Sequence, residues 1–479
     1  MASPPRRRPA AGRRGSAPPS DAPRNVGREA DRSRRVAFDA LRKVTGEDAY
    51  ANLVLPPLLT ERGITGRDAA FATELLNGTC RWLGTYDAVL EAASGRALST
   101  LQPAVVDLLR LGTHQVLGMR VGTHAAVSET VDLAGATVGR RVTGLVNAVL
   151  RRVAAQDRDG WLDQLGAGRD PLDRLALDHA HPRWVVDAYA DLLPADELVP
   201  ALAADNVSPE VTLVVRPGLA DVADLVAEAG ADGPGRWSPY AVRGAGGNPG
   251  DLPLVRTGRA GVQDEGSQLV AWGATRPAAA PGWWLDLSAG PGGKAALLTG
   301  LALADGSRVL AGELAPHRAT LVVGATRGYP LDERPVVVVA DATRPPWSAG
   351  SFTRVLADVP CTGLGALRRR PEARWRRAAA DVEALHPLQR ALLTTALDAA
   401  APGGLVAYVT CSPHRRETSD VVLETLAERD DVEVMPYAEV LPELAAASDA
   451  GAATDGRFLQ LWPHRHGTDA MFAAYLRRR

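Results

Sequence analysis

Residues 283–294 of this 479-residue chain read WWLDLSAGPGGK, and this stretch decides the fold expected for the C-terminal half. Residues 283–287 have the continuous apolar character of a short buried strand, and a glycine-rich turn leads into a helix expected after Pro291. Glycines permit a tight turn and a close approach of the backbone to a ligand, while a helix N-terminus offers free N–H groups. The stretch therefore predicts the first strand and the ligand-binding turn of an α/β domain.

The residues that follow keep the same alternation of strand and helix. Further apolar strands are predicted at residues 308–312, 336–340, 354–357 and 405–410. A long helix is predicted over residues 378–400. Continuous apolar strands separated by helices indicate a parallel sheet that is covered on both faces. We expect residues 261–479 to form an α/β Rossmann-like domain whose ligand lies at the carboxyl ends of the strands.

The rest of the chain divides into three regions of different character. Residues 1–30 alternate arginine with small residues and proline, and they predict a disordered basic tail because no apolar pattern could form a core. Residues 31–165 carry apolar side chains at helical spacing and predict an all-α bundle. Residues 170–260 mix helix, a β-branched run and glycine-rich loops, which predicts a small α+β connecting module. With 46% hydrophobic residues the chain as a whole is a multidomain globular protein, not a fibrous one.

The chain has three cysteines, Cys80, Cys361 and Cys411, which are too few for a disulfide framework and indicate a reducing compartment. No stretch of roughly 18 apolar residues could cross a membrane. The basic N-terminus lacks the apolar segment of a secretory signal. We therefore expect a cytoplasmic protein with no membrane partner, and a monomer as the simplest oligomeric state.

Acidic residues stand at the ends of the first three predicted strands, at Asp286, Glu313 and Asp341. Glu313 follows the glycines by about 20 residues, where a carboxylate accepts hydrogen bonds from ribose hydroxyls in nucleotide-binding domains. Asp341 could receive an adenine amino group. Because the turn does not match the G-x-G-x-x-G pattern of dinucleotide sites, we predict S-adenosylmethionine as the cofactor.

Two cysteines follow the fourth and fifth predicted strands, in the sequences DVPC (358–361) and TCSP (410–413). Buried structural thiols are the alternative interpretation, since free cysteine is often buried. Structural thiols are expected inside strands or helices, however, and not at two strand ends beside a ligand. No further ligands stand nearby at the spacing of a metal site, so no metal is expected.

The chemistry that suits these residues is methylation at C5 of a pyrimidine. C5 of cytosine is a poor nucleophile, and addition of a thiolate to C6 makes it enamine-like. A helix N-terminus expected just after Cys411 would favour the thiolate there. Asp358 could assist the addition at N3, and with two thiols available one could add while the other assists elimination.

Lysine and arginine total 54, but only Lys43 and Lys294 are lysine, which draws attention to Lys294 beside the glycine-rich turn. Arginines cluster shortly after Cys361, between the fourth strand and the long helix. A solvated helix face is the alternative interpretation, but their place beside the site favours contacts with RNA phosphates. The predicted phosphate-binding residues are Arg368, Arg369, Arg370 and Arg374.

These motifs together resemble the Sun (Fmu) family of RNA cytosine-C5 methyltransferases. The resemblance is carried by residues 286–294, by the DVPC and TCS segments, and by GVQDEGSQ (261–268), RRRPE (368–372) and LWPH (461–464). Residues 31–165 resemble the NusB-like RNA-binding domain that is fused to the bacterial ribosomal RNA member. The resemblance covers nearly everything except the tail.

The resemblance implies transfer of a methyl group from S-adenosylmethionine to C5 of a cytosine in 16S ribosomal RNA, either free or in a small-subunit assembly intermediate. Cys411 would be the nucleophile, Cys361 would promote release, Asp358 would contact the target base, and Lys294 would lie near the base or cofactor. The cofactor-binding residues that we predict are Asp286, Ser288, Ala289, Gly290, Pro291, Gly292, Gly293, Lys294, Glu313, Arg318, Asp341 and Asp358.

Two positions depart from the family pattern. Val359 stands where alanine is usual and adds bulk beside the base pocket, and residues 288–290 read SAG where a CAA-like run is usual. Other functions stay open at this point. A non-catalytic RNA-binding factor would have lost a nucleophile, a small-molecule or protein methyltransferase would not need the helical domain, and a DNA enzyme normally attacks with a Pro-Cys cysteine.

Overall fold

The computed structural model describes residues 31–447 and 455–479, which form a helical N-terminal bundle, a small antiparallel sheet and a larger mixed sheet. The predicted basic tail, residues 1–30, lies outside the described residues. The expected fold class is confirmed, whereas the boundaries at 31–165, 170–260 and 261–479 stay predictions. Within the described ranges, no helix combines the length and the apolar character that a bilayer crossing needs.

The N-terminal bundle begins with a capped helix. The Asp31 carboxylate accepts a hydrogen bond from the Arg34 backbone N–H at 2.8 Å, which satisfies one of the free donors of the first turn. Val36, Leu41 and Val44 then pack with the following helices into one apolar core. The helices of the bundle are α1 (Arg32–Gly46), α2 (Ala51–Glu61), α3 (Gly66–Arg81), α4 (Leu83–Ser94), α5 (Pro103–Leu117), α6 (Thr123–Thr137), α7 (Thr143–Val153) and α8 (Arg158–Gly166).

The next helices connect the bundle to the C-terminal half. They are α9 (Pro171–Asp178), α10 (Arg183–Ala190) and α11 (Ala195–Ala204). Val186 and Leu202 lie in one buried cluster with Leu364 and Trp462, and the Tyr189 ring meets Trp462 edge-on at 5.2 Å between centroids. These helices therefore share a core with the segments around the large sheet and not with the small sheet that follows them in the chain.

The small sheet has the strand order β2-β3-β1-β4, and all its pairs are antiparallel. Its strands are β1 (Thr212–Val215), β2 (Gly233–Pro234), β3 (Ala241–Arg243) and β4 (Ala260–Val262), with helices α12 (Val222–Ala229) and α13 (Pro253–Arg256). The central strand β1 is buried throughout because it is paired on both sides and its residues are apolar or β-branched. Strand β4 leads directly into the first helix beside the large sheet.

The large sheet has the order β10-β12-β9-β8-β5-β6-β7, with β11 paired to β12. Its strands are β5 (Trp283–Asp286), β6 (Arg308–Glu313), β7 (Val336–Val339), β8 (Phe352–Asp358), β9 (Ala400–Thr410), β10 (Val432–Met435), β11 (Leu459–Gln460) and β12 (Phe472–Arg478). Strands β5 to β9 are parallel, as predicted. The sheet also has an antiparallel edge that was not predicted, because β12 pairs antiparallel with β9 and covers an apolar edge that would otherwise be exposed.

Both faces of the large sheet are covered, as predicted. Leu285 and Val406 pack with Leu393 on one face, and the neighbouring residues Trp284 and Ala407 belong to the cluster on the other face. Successive strand residues point to opposite faces, so both must be apolar. The helices of this part are α14 (Glu265–Gly273), α15 (Gly293–Ala304), α16 (Pro316–Ala325), α17 (Ala373–Arg376), α18 (Ala379–Ala399), α19 (Ser419–Leu426), α20 (Tyr437–Val440), α21 (Pro442–Ala447) and α22 (Pro463–His466).

Candidate active site

The carboxyl-terminal edge of the parallel strands carries a cluster of functional side chains. Strand β5 has β6 on one side and β8 on the other, so the chain reverses its direction of travel through the sheet at this point. Asp286 ends β5, Asp358 ends β8, and Cys411 directly follows β9. A crevice at such a switch point is the usual place for a nucleotide ligand in an open α/β sheet.

Two glycines of the turn after β5 are required by the local geometry. A Cβ atom at Gly290 would lie 2.3 Å from Oε2 of Glu313, and Gly292 has a φ of +108°. The Gly290 backbone N–H donates to the same Glu313 oxygen at 2.9 Å. Helix α15 begins directly after the turn, which places Lys294 in its first turn at the edge of the crevice.

Glu313 and Arg318 hold this turn to the end of β6. The Glu313 carboxylate accepts a hydrogen bond from the Ala315 backbone N–H at 3.0 Å and lies 3.6 Å from Nε of Arg318. The Arg318 guanidinium also donates to the Gly290 carbonyl. At the end of β7, hydrogen bonds from the hydroxyl and backbone N–H of Thr343 lower the pKa of the exposed Asp341.

Asp286 is a buried carboxyl group with a strongly perturbed pKa. Its side chain is 1% exposed, and neither carboxyl oxygen has a hydrogen-bond partner among the described residues. Burial, followed by the charge of Asp358, raises the pKa of Asp286 to about 7. Perturbed carboxyl groups of this kind concentrate at functional sites, because a ligand can supply the missing partner.

The two predicted cysteines meet at the ends of neighbouring strands. The Sγ atoms of Cys361 and Cys411 are 3.4 Å apart. A hydrogen bond from the Cys361 thiol lowers the pKa of Cys411, and the nearby charge of Lys294 acts in the same direction. The same hydrogen bond, with burial, raises the pKa of Cys361 well above its usual range. Of the two thiols, Cys411 is therefore the one whose surroundings favour the thiolate form.

An ion pair lies beside the thiols. Nζ of Lys294 is 2.8 Å from Oδ2 of Asp358. Burial opposes the charge of Lys294, but the attraction of Asp358 outweighs it and raises the pKa of the ammonium group. Lys294, Asp358 and Cys411 line two adjoining cavities of about 310 and 560 Å³, which are sizes typical of ligand sites. The site thus holds two thiols, a carboxyl group and an ammonium group in one crevice.

Two residues that the sequence analysis missed, Glu417 and Gln389, hold the loop that carries Cys361. Glu417 is fully buried, and its carboxylate accepts hydrogen bonds from the Thr362 backbone N–H at 2.7 Å and from the Thr362 hydroxyl. Gln389 donates to Glu417 at 3.2 Å and to the Pro360 carbonyl at 2.9 Å. The only signal in the sequence is a lone acidic residue shortly after TCSP, which by itself does not predict this role.

A buried group of four charges joins two of the motifs on which the resemblance rested to the C-terminal loop. Asp264 and Asp469 accept hydrogen bonds from Arg368 at 3.0 and 2.7 Å. They also accept hydrogen bonds from Arg369, at 2.6 and 3.0 Å. Burial and the like charge of Asp264 raise the pKa of Asp469 to about 6. These charges cross-link the segment before α14, the arginine run and the C-terminal loop, so Arg368, at 8% exposure, is committed to ion pairs and not to RNA.

The structure also corrects the predicted role of Arg374. Its side chain is fully buried and donates to the Ala180 and Asp205 carbonyls at 2.9 and 3.1 Å and to the Asn206 side chain at 2.8 Å. It holds α17 against the connecting helices, so it cannot reach a phosphate group. Of the four predicted arginines, Arg370 is the exposed one and lines both cavities. Sequence spacing alone could not separate these neighbours.

Comparison with known proteins places the chain in a family. A family model described as 16S rRNA methyltransferase RsmB/F matches residues 277–477, and one described as the NusB family matches residues 31–155. A Pseudomonas putida protein named ribosomal RNA small subunit methyltransferase B is 32% identical over 457 residues, which cover 92% of this chain and 98% of that protein. The chain belongs to the RsmB/F family.

Two further comparisons extend the similarity over nearly the whole chain. A Mycobacterium tuberculosis protein named putative methyltransferase Rv1407 is 51% identical over 470 residues, covering 96% of this chain and 99% of that protein. The crystal structure of PH0851 superposes with a TM-score of 0.78 at 21% identity and covers 93% of this chain and 98% of that one. This RsmB/F member thus shares its fold over 93% of the chain with a protein of known structure.

The RsmB/F family uses S-adenosylmethionine, and the residues of the crevice fit this cofactor. Gly290 leaves space that a side chain would fill, and the buried Asp286 lacks a partner that a cationic or hydroxyl group of a ligand would provide. Gly290, Glu313 and Asp341 line the larger cavity, where they would hold an adenosyl group. When bound, S-adenosylmethionine supplies an electrophilic methyl group.

Proposed function

We propose that this protein methylates C5 of a cytosine in 16S ribosomal RNA through a covalent bond between Cys411 and C6 of the base. The observation that carries the proposal is the 3.4 Å contact between the Cys361 and Cys411 sulfurs in a cavity that also holds Lys294 and Asp358. A thiolate, a second thiol and a proton donor within one crevice are the groups that this reaction requires.

Cys411 attacks because its thiolate is stabilised by the hydrogen bond from Cys361. The sulfur lone pair forms the S–C6 bond, and the electrons of the C5–C6 double bond make C5 nucleophilic. Negative charge that develops on the ring is met by Lys294, whose ammonium group is held by Asp358 at 2.8 Å. This pair can direct one proton to N3 while the sulfur adds.

Cys361 is suited to the second half of the reaction. Once Cys411 is bonded to carbon, its negative charge is gone, and with it the largest cause that keeps Cys361 protonated. Cys361 can then lose its proton to solvent and accept the proton from the methylated C5. The electron pair of the C5–H bond restores the C5–C6 double bond, the S–C6 bond breaks, and Cys411 leaves as a thiolate. N3 returns to the Lys294–Asp358 pair the proton that it took up during addition.

Ribosomal RNA as the substrate is supported by the relatives that are named small-subunit rRNA methyltransferases and by the exposed Arg370 in the cavity wall. The target base must leave its stack to reach a thiol at a sheet edge, which is easiest in single-stranded or looped RNA. A binding factor without catalysis would not need two thiols in contact, and a small-molecule enzyme would not need the helical N-terminal part.

The test compares Cys361→Ala, Cys411→Ala and a matched control, Cys80→Ala. Cys80 is fully buried in α3, away from the crevice. Each protein is incubated with S-adenosylmethionine and unmodified 16S rRNA, analysed on a denaturing gel, and the RNA is digested to nucleosides for mass spectrometry. We expect Cys361→Ala to accumulate a protein–RNA adduct, Cys411→Ala to form none, and Cys80→Ala to yield 5-methylcytidine like the parent protein.

Other outcomes would change the conclusion. An adduct in Cys411→Ala but not in Cys361→Ala would exchange the roles of the two thiols. Methylation at another cytosine position would overturn the C5 assignment. A parent protein that neither methylates RNA nor forms an adduct, while still binding RNA, would support the binding factor instead.

A further inference from the structure

One wall of the crevice comes from the N-terminal bundle. Tyr50, the residue directly before α2, lines the larger cavity together with Arg370 and both active-site cysteines. The target crevice is therefore not built by residues of the methyltransferase part alone. Tyr50 is separated from the cysteines by more than 300 residues of sequence, so only the docking of the bundle places it there.

Two arginines with different surroundings lie within cation–π distance of the Tyr50 ring. The guanidinium carbons of Arg370 and Arg376 are 5.4 and 5.3 Å from the ring centroid, within the range of cation–π attraction. Arg376 donates to the carbonyls of Val44, Asp48 and Ala49 and is therefore committed to the bundle backbone. Arg370 has no carboxylate partner among the described residues, in contrast to Arg368 and Arg369.

We propose that Tyr50 is a positioning residue that holds Arg370 at the mouth of the crevice, where its guanidinium receives a phosphate group of the RNA strand beside the target cytosine. This inference rests on the proposed function. A free arginine side chain samples many rotamers, and ordering it on contact with RNA costs binding energy. An aromatic ring orders the side chain beforehand without neutralising its charge, which a carboxylate partner would do.

The bundle is docked by contacts that do not involve Arg370. The Ala51 backbone N–H donates to Glu372 at 3.0 Å, and the Trp375 indole N–H donates to the Cys80 carbonyl at 2.8 Å. The segment that carries Arg370 therefore also contacts two helices of the bundle, α2 and α3. These separate contacts provide a control, because loss of the Trp375 hydrogen bond removes one docking contact while the Ala51–Glu372 hydrogen bond still holds the residue next to Tyr50.

The experiment uses the full chain with five variants: Tyr50→Leu, Tyr50→Phe, Arg370→Met, the Tyr50→Leu/Arg370→Met double variant and Trp375→Phe. Affinity for a 16S rRNA transcript is measured at several salt concentrations, with KM and kcat for methyl transfer and the melting temperature of each protein. For Tyr50→Leu we expect a KM raised about fivefold, an unchanged kcat, and a salt slope that is smaller by about 0.7–0.9, the loss of one phosphate contact.

The variants distinguish positioning from other roles. Tyr50→Phe should match the parent protein because it keeps the ring, and the double variant should be no weaker than Arg370→Met because both changes remove one contact. Trp375→Phe should keep the parental salt slope. The proposal fails if Tyr50→Leu leaves the slope unchanged, if its effect multiplies with that of Arg370→Met, or if Trp375→Phe reproduces it. If the parent protein does not methylate RNA, the proposed function fails, while RNA affinity and salt slope still decide the role of Tyr50.

Discussion

Replacing Asp286 with asparagine should stabilise the cofactor-free protein at high pH while impairing its activity. The carboxyl group is buried, both oxygens lack partners among the described residues, and its pKa is raised from 3.8 to about 7. At pH values above the native pKa, the folded protein must keep a charged carboxylate in a buried environment close to the negative charge of Asp358. Asparagine has nearly the same shape but carries no charge, so it removes this cost.

The size of the effect follows from proton linkage. The unfolded chain releases the Asp286 proton near pH 4, and the native chain releases it only near pH 7. Between these values the native state binds more protons, so the free energy of unfolding falls as the pH rises. Each pH unit corresponds to about 1.4 kcal/mol, and the two units from pH 5 to the native pKa therefore correspond to roughly 3 kcal/mol. The free energy of unfolding of Asp286→Asn, relative to that of the parent protein, should therefore increase by this amount between pH 5 and pH 8.

The assay is urea unfolding without cofactor, followed by tryptophan fluorescence at pH 5 and at pH 8. Trp284 lies in the same strand as Asp286 and is buried, so it reports on this part of the fold. Comparing the two pH values cancels any constant cost of burying the amide group. Asp332→Asn is the matched control, because Asp332 is an exposed aspartate outside the crevice.

The reasoning would be refuted if the free energies of unfolding of Asp286→Asn and the parent protein differed by the same amount at pH 5 and pH 8. That result would mean that Asp286 titrates as an ordinary carboxyl group, and that water or local motion supplies the partner missing from the structure. A difference that shrinks as the pH rises would contradict the sign of the linkage itself.

Three further predictions concern the rest of the site. Cys361→Ala removes the hydrogen bond to Cys411. Alkylation of Cys411 by iodoacetamide, followed by peptide mass spectrometry, should then be about tenfold slower at pH 7, and its pH profile should move to higher pH. An unchanged pH profile would contradict the assignment of Cys411 as the thiolate. Glu417→Gln should lower the free energy of unfolding by about 1–3 kcal/mol and slow methyl transfer, because the Thr362 loop loses a charged acceptor; full activity would show that the loop is held by other contacts. Arg374→Met should lower the free energy of unfolding by about 3 kcal/mol or more, because three buried acceptors lose their donor. Arg370→Met should leave urea unfolding unchanged and weaken RNA binding. The reverse pattern would mean that Arg374, and not Arg370, contacts the RNA.

Local patterns in the sequence were sufficient to predict the parallel strands and the functional residues at their ends. An apolar run such as Trp284–Leu285 must be buried on both faces, and the carboxyl ends of parallel strands converge on one edge of the sheet. The sequence could therefore predict that Asp286, Asp358, Cys361 and Cys411 share a site. It missed strand β12, because pairing with β9 depends on which edge of the sheet is left open and not on residues 472–478 alone.

The chemical state of each group was decided only by the tertiary structure. Three consecutive arginines look equivalent in the sequence, yet Arg368 and Arg369 are neutralised by Asp264 and Asp469 while Arg370 stays exposed. The pKa of Cys411 is lowered because the Cys361 thiol lies within hydrogen-bond distance. Tyr50 reaches the crevice because the N-terminal bundle docks there. The periodicity of apolar residues predicts which side chains are buried. The ion pairs of a side chain, its pKa and the cavity that it lines depend on residues from distant parts of the chain, which only packing brings together.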